Sequence, residues 1–164
     1  MPRPLLKAFF AALCLLCVTP ALGRWGQGIE HTGTYVWTSE AVEGLSALEV
    51  VDGGVAFHAI GDRGWYLRGE FARTGGGISG VVLTDLLPIL GIDDLPVAAR
   101  RVGDLADAEG LAMAPGGPMW ISFERWTRVV RYDGPRDGGR LVQPHPSFED
   151  YADNRQLEAL ALHP

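Results

Sequence analysis

What most limits the fold of this chain is that it repeats itself. Glu43-Gly44-Leu45-Ser46 opens an apolar stretch, followed by the turn Asp52-Gly53-Gly54, a second stretch containing Phe57, the pair Asp62-Arg63 and a third stretch ending at Phe71. The same order returns as Glu109-Gly110-Leu111-Ala112, Pro115-Gly116-Gly117, a stretch containing Trp120, the pair Glu124-Arg125 and a stretch ending Arg131-Tyr132-Asp133. A third start, Glu158-Ala159-Leu160-Ala161, lies close to the last residue. The starts are 66 and 49 residues apart. With a long connection at 75–101 set aside, that matches the ~40 to 50 residues of one propeller blade, whereas solenoid β-helices repeat at shorter periods.

The local pattern agrees with an all-β fold. Gly54 to Ile60, Trp65 to Phe71, Met119 to Phe123 and Thr127 to Tyr132 are short runs of β-branched and aromatic residues, bounded by Gly, Pro or charged turns. The first two runs are expected to pair as one antiparallel hairpin and the last two as another. No segment keeps a 3.6-residue apolar period for three turns; Leu83 to Leu90 comes nearest, and Pro88 and Gly91 cut it short. The region from Gly75 to Arg101 reads as a long connection. The expected fold is thus an all-β, propeller-like set of antiparallel blades: about two complete, with the start of a third. That count makes an incomplete propeller, truncated at its C-terminus, whose open strand edges favour association.

The N-terminus sets the compartment. Arg3 and Lys7 precede an apolar run from Ala8 to Val18, and Pro20, Ala21, Leu22 and Gly23 close the segment. This is the layout of a cleavable secretory signal, with cleavage expected after Gly23. The run is roughly 11 residues against the ~20 that span a bilayer, so no stable membrane anchor is expected. The domain is then 24–164, in the periplasm or outside the cell. Both cysteines, Cys14 and Cys17, lie in the signal, so neither a disulfide nor a thiolate metal site can form in the exported part. Its charge is strongly acidic, with 12 basic side chains against 20 acidic ones. Nucleic acid is excluded as an expected partner. Lys7 is the sole lysine, which removes Schiff-base and P-loop chemistry.

Carboxylates recur with the repeat: Glu43, Glu109 and Glu158 at the unit starts, and Asp62 and Glu124 after the second stretch. Blade inner strands line a common axis, so matching positions converge there. Crowded carboxylates hold protons more tightly unless a cation compensates, and Ca²⁺ accepts such oxygen ligands in loose geometry. Glu43, Asp107, Glu109 and Glu158 are candidate metal ligands; Glu43, Asp62, Glu109 and Glu124 are candidate catalytic carboxylates. Arg63, Arg125 and Arg155 can satisfy these acids or bind an anionic substrate. Asp62-Arg63 and Glu124-Arg125 can equally be structural ion pairs.

The combination of Glu43-Gly-Leu-Ser, Ile60-Gly-Asp62-Arg63-Gly64, Asp107-Ala-Glu109-Gly-Leu-Ala, Trp120-Ile-Ser-Phe-Glu124 and Asn154-Arg155-Gln-Leu-Glu158-Ala-Leu-Ala resembles the phytase-like family of secreted bacterial proteins, also described as "esterase-like activity of phytase". The resemblance runs from Thr38 to Pro164. It implies a β-propeller with an acidic central region and activity on phosphate or carboxylic esters. The family's domain is about twice as long as this chain.

Other motifs carry no such weight. Gly75 to Gly80 fits G-x-G-x-x-G spacing, but no helix follows it, and it reads as a flexible loop. No G-x-S-x-G nucleophile elbow exists. His31, His58, His145 and His163 lack metal-ligand spacing, and His58 is the one that shares a unit with Asp62. Trp65, Trp120 and Trp126 are expected to pack between blades. Two functions fit: a metal-assisted hydrolase of small esters or phosphate esters, or a non-catalytic propeller module whose carboxylates are structural.

Overall fold

The computed structural model describes residues 31, 33–99, 105–124, 126–151 and 157–163. The expected signal and its cleavage site lie outside them, as do Arg125 and Arg155. Contacts divide the chain at Thr32/Gly33, and the strands all belong to the part from Gly33 onward.

Among the described residues, eight strands form two four-stranded antiparallel sheets, each a simple meander. The first holds β1 (Leu45–Val51), β2 (Ala56–Gly61), β3 (Trp65–Thr74) and β4 (Gly77–Pro88); the second holds β5 (Ala108–Met113), β6 (Met119–Phe123), β7 (Arg128–Tyr132) and β8 (Arg140–Leu141). No α-helix occurs among the described residues. The two expected hairpins form, β2 with β3 and β6 with β7. These are propeller-like blades, and the described residues close no ring.

The connection expected at 75–101 is a correction. Gly75 and Gly76, both at positive φ, make a two-residue turn of the kind that matches strand twist. Thr74 pairs with Gly77, and β4 then runs for twelve residues beside β3. The glycine run is a tight hairpin turn, not a flexible loop, and Leu83 to Pro88 is strand rather than part of a connection. Pro88 is tolerated because it ends an edge strand.

One core joins the blades. Ile60, Tyr66, Ile89 and Val97 from the first blade and its extension pack with Ala108, Leu111, Met119, Ile121, Phe123, Val130 and Tyr132 of the second. The Tyr132 hydroxyl donates to the Leu90 carbonyl at 2.9 Å, which satisfies its polar end. The inter-blade aromatics are Tyr66, Phe123 and Tyr132, whereas Trp65 and Trp126 are exposed. Period-2 alternation explains the exchange: Trp65 and Tyr66 are neighbours in β3, so only one can face the core. A smaller cluster, Phe57, Ala59 and Leu67, lies on the opposite face of the first blade, with Trp37, Val42, Phe71 and Leu83 against it.

Candidate functional site

Both blades build the same corner. After the second strand the chain turns, and the first residue of that turn, Asp62 or Glu124, donates its backbone N–H to the residue just before the inner strand. The acceptors are the Gly44 and Asp107 carbonyls, each at 2.9 Å. Both inner strands then carry a one-residue bulge. In β1 the register passes from Leu45↔Gly61 to Ala47↔Ile60, leaving Ser46 as the extra residue; in β5 it passes from Ala108↔Phe123 to Gly110↔Ser122, leaving Glu109. A bulge releases its extra side chain from the sheet's alternation and re-aims it.

This register corrects the equivalence expected from the repeat. Glu109 occupies the place of Ser46, not that of Glu43, because the turns Asp52-Gly53-Gly54 and Pro115-Gly116-Gly117 align three residues out of step with the Glu-Gly-Leu pieces. Glu43 instead lies outside β1, exposed, in an ion pair with Arg63 at 2.8 Å. Of the three arginines singled out from sequence, Arg63 is the one described, and it is committed to that pair.

The remaining acids converge. Single ligand oxygens of Asp107, Glu109 and Glu124 lie within 4.8 Å of one another, with Glu124 buried. Burial, and then the charges of Asp107, Glu158, Glu124 and Asp62, pushes the Glu109 carboxyl up to about 7. Asp62 comes from the first blade, and its Oδ1 is buried without a hydrogen-bond partner among the described residues. Gly44 makes room for it: at φ 58°, a Cβ there would collide with the Asp62 carboxylate.

Glu158, exposed and outside the three-carboxylate group, adds its charge from the segment 157–163, which lies along β5. A Cβ on Gly110 would stand 2.8 Å from the Leu160 nitrogen, and the Ser122 hydroxyl donates to the Leu157 carbonyl at 2.9 Å. The third repeat start therefore flanks the second blade. Ser122 escaped the sequence reading, since nothing marks a buried serine in a strand as an anchor for a segment 35 residues away.

His58 belongs elsewhere. Its Nδ1 and the Tyr66 hydroxyl are 2.5 Å apart, in a cleft lined also by Glu49, Arg68, Asp85 and Arg136, toward the opposite end of the inner strands. Burial, then Arg68, lowers the His58 pKa, and burial pushes the Tyr66 hydroxyl up to about 12. The pair reads as a neutral imidazole accepting from a phenol.

Searches of curated proteins and of solved structures returned no match. A family model described as "Phytase-like: Esterase-like activity of phytase" matches residues 40–164.

Proposed function

The chain belongs to the phytase-like family, and on that premise we propose that it is an exported, metal-assisted hydrolase of phosphate or carboxylic esters, centred on Asp107, Glu109 and Glu124. The observation that carries the reading is their convergence within 4.8 Å. The donor set suits a hard divalent cation such as Ca²⁺: it is all oxygen, supplied from more than one element. The raised proton affinity of Glu109, to which four neighbouring carboxylates contribute, and the buried Asp62 Oδ1 without a hydrogen-bond partner among the described residues both favour a cation at this corner. Asp107, Glu109 and Glu124 would hold the ion, with Asp62 and Glu158 adding negative charge around it. Such an ion, when bound, supplies Lewis-acid polarisation of an ester oxygen and a more acidic water.

The chain's own part is proton handling and orientation. With no cation bound Glu109 keeps a proton near neutral pH, and a cation held there would displace it, so ion binding and proton release are coupled at this carboxyl. The backbone bond from Glu124 to Asp107 ties together the main chain that carries two of the three carboxylates before any substrate arrives. Exposed Arg63 stands beside the first-blade corner, though its pairing with Glu43 limits it to a secondary role in substrate binding.

The test is turnover of a generic phosphomonoester and a generic carboxylic ester with and without Ca²⁺. Glu109→Gln, close in shape but with no charge to offer the cation, is expected to lower kcat by about 10²-fold or more. It should also weaken the rise in Tm that Ca²⁺ gives. Stabilisation by Ca²⁺ with no turnover of either substrate would replace the hydrolase reading with that of a cation-dependent binding module.

A further inference from the structure

The first blade turns from apolar to charged within a single face. Residues directly opposite one another on neighbouring strands share a face, and the pairings Ala47↔Ile60, Ile60↔Tyr66 and Tyr66↔Leu87 make a row that packs in the inter-blade core. Two residues further along each strand, the same face carries Glu49, His58, Arg68 and Asp85, again directly opposite one another. The second blade answers this row largely with small-residue turns, Ala114 to Gly117 after β5 and Gly134 with Pro135 after β7. A cleft of about 790 Å³ is left between the blades, a size that holds a small molecule.

Inside the cleft the charges are not paired as the register offers them. Asp85 stands opposite Arg68 in the ladder, yet its Oδ1 accepts from Arg136 across the cleft at 2.9 Å. The exposed Arg68 guanidinium then has no ion pair or hydrogen bond among the described residues, and neither has the half-buried Glu49 carboxylate two strands away. His58 lies between them. Its Nδ1 accepts from the buried Tyr66 hydroxyl, which fixes the ring and its tautomer and leaves Nε2–H as the donor. The row therefore offers two donors, Arg68 and His58 Nε2–H, beside an acceptor, Glu49, with Asp52 just past the end of β1. A simple anion on Arg68 would meet Glu49, and a simple cation on Glu49 would meet Arg68. A molecule carrying both charges satisfies each.

We propose that this inter-blade cleft binds a small zwitterion of the amino-acid class, its carboxylate held by Arg68 and His58 and its ammonium by Glu49. A planar carboxylate matches the guanidinium fork. The Arg136–Asp85 bridge ties the second blade's 133–139 connection to β4 and spans the cleft on that side. The site lies toward the opposite end of the inner strands from the three-carboxylate group, and the proposal is independent of the hydrolase reading.

Titration calorimetry on the full chain tests it, with zwitterions of increasing charge separation: glycine, β-alanine, γ-aminobutyrate and ε-aminocaproate. Butyrate and butylamine serve as singly charged counterparts. The expected result is that at least one zwitterion binds at millimolar concentration, about tenfold or more tighter than either counterpart. Arg68→Gln should abolish that binding, and Glu49→Gln should reduce it to the level of butyrate. Both variants should keep their circular dichroism and Tm, since neither side chain has an ion pair to lose. Glu109→Gln, at the other end of the inner strands, should bind like the unaltered chain. No binding by any zwitterion at millimolar concentration would overturn the proposal, as would binding that survives Arg68→Gln or is lost in Glu109→Gln. Tighter binding of butyrate or inorganic phosphate than of every zwitterion would overturn it too, by making the cleft a simple anion site.

Discussion

Glu109 shows how one residue's titration can bear on the whole fold. Its folded-state affinity for a proton, with a midpoint near 7 against an ordinary 4.5, means that the folded chain keeps a proton there that the unfolded chain has already released. Where the folded state binds more protons, stability falls as pH rises. The contribution is intact below about 4.5, fades through the interval up to about 7, and is lost above it. Thermal melts in metal-free buffer should accordingly show Tm declining from pH 5 to pH 8. Glu109→Gln should flatten that slope, and Ca²⁺ should oppose it. A slope unchanged by Glu109→Gln would assign the titration to another group.

At the scale of elements, the hairpins were legible because their turns are chemically marked. Gly and charged residues separate runs of β-branched and aromatic side chains, and both expected pairings formed. β4 was not legible for an opposite reason: its residues alternate poorly, and Pro88 with three consecutive glycines suggested interruption where the structure has a tight turn and a strand end. The bulges were equally hidden, since an extra residue in one strand is visible only against its partner. That concealment produced the three-residue error in aligning Glu43 with Glu109. Gly110 is the position where the third repeat start comes closest to β5. Gly110→Ala should place a methyl against the Leu160 nitrogen and the Ser122 hydroxyl. The expected cost is about 1 to 3 kcal/mol, typical of overpacking. Hydrogen exchange should locate the loosening in 157–163, with β2 and β3 unaffected.

For the molecule as a whole, the shared core decides how the blades unfold. Ile121 is fully buried in a cluster to which both blades contribute. Ile121→Ala should therefore cost about 2 to 5 kcal/mol and lower the unfolding midpoint of both blades together. Tyr66 reports on the first blade and Tyr132 on the second. Coincident transitions at the two sites would mark a single cooperative unit, and separate ones would mean that the blades melt independently.

The matched bulges at Ser46 and Glu109 make these two positions exchangeable sockets. A residue there escapes the partner strand's demands, so its chemistry can be rewritten without disturbing the ladder or the core beneath it. A repeat built this way keeps its architecture in the hydrophobic strand positions and its function in a few excluded ones. Serine in one socket and glutamate in the next is then a local choice of charge. New specificity can be acquired one unit at a time, at little expense to the scaffold.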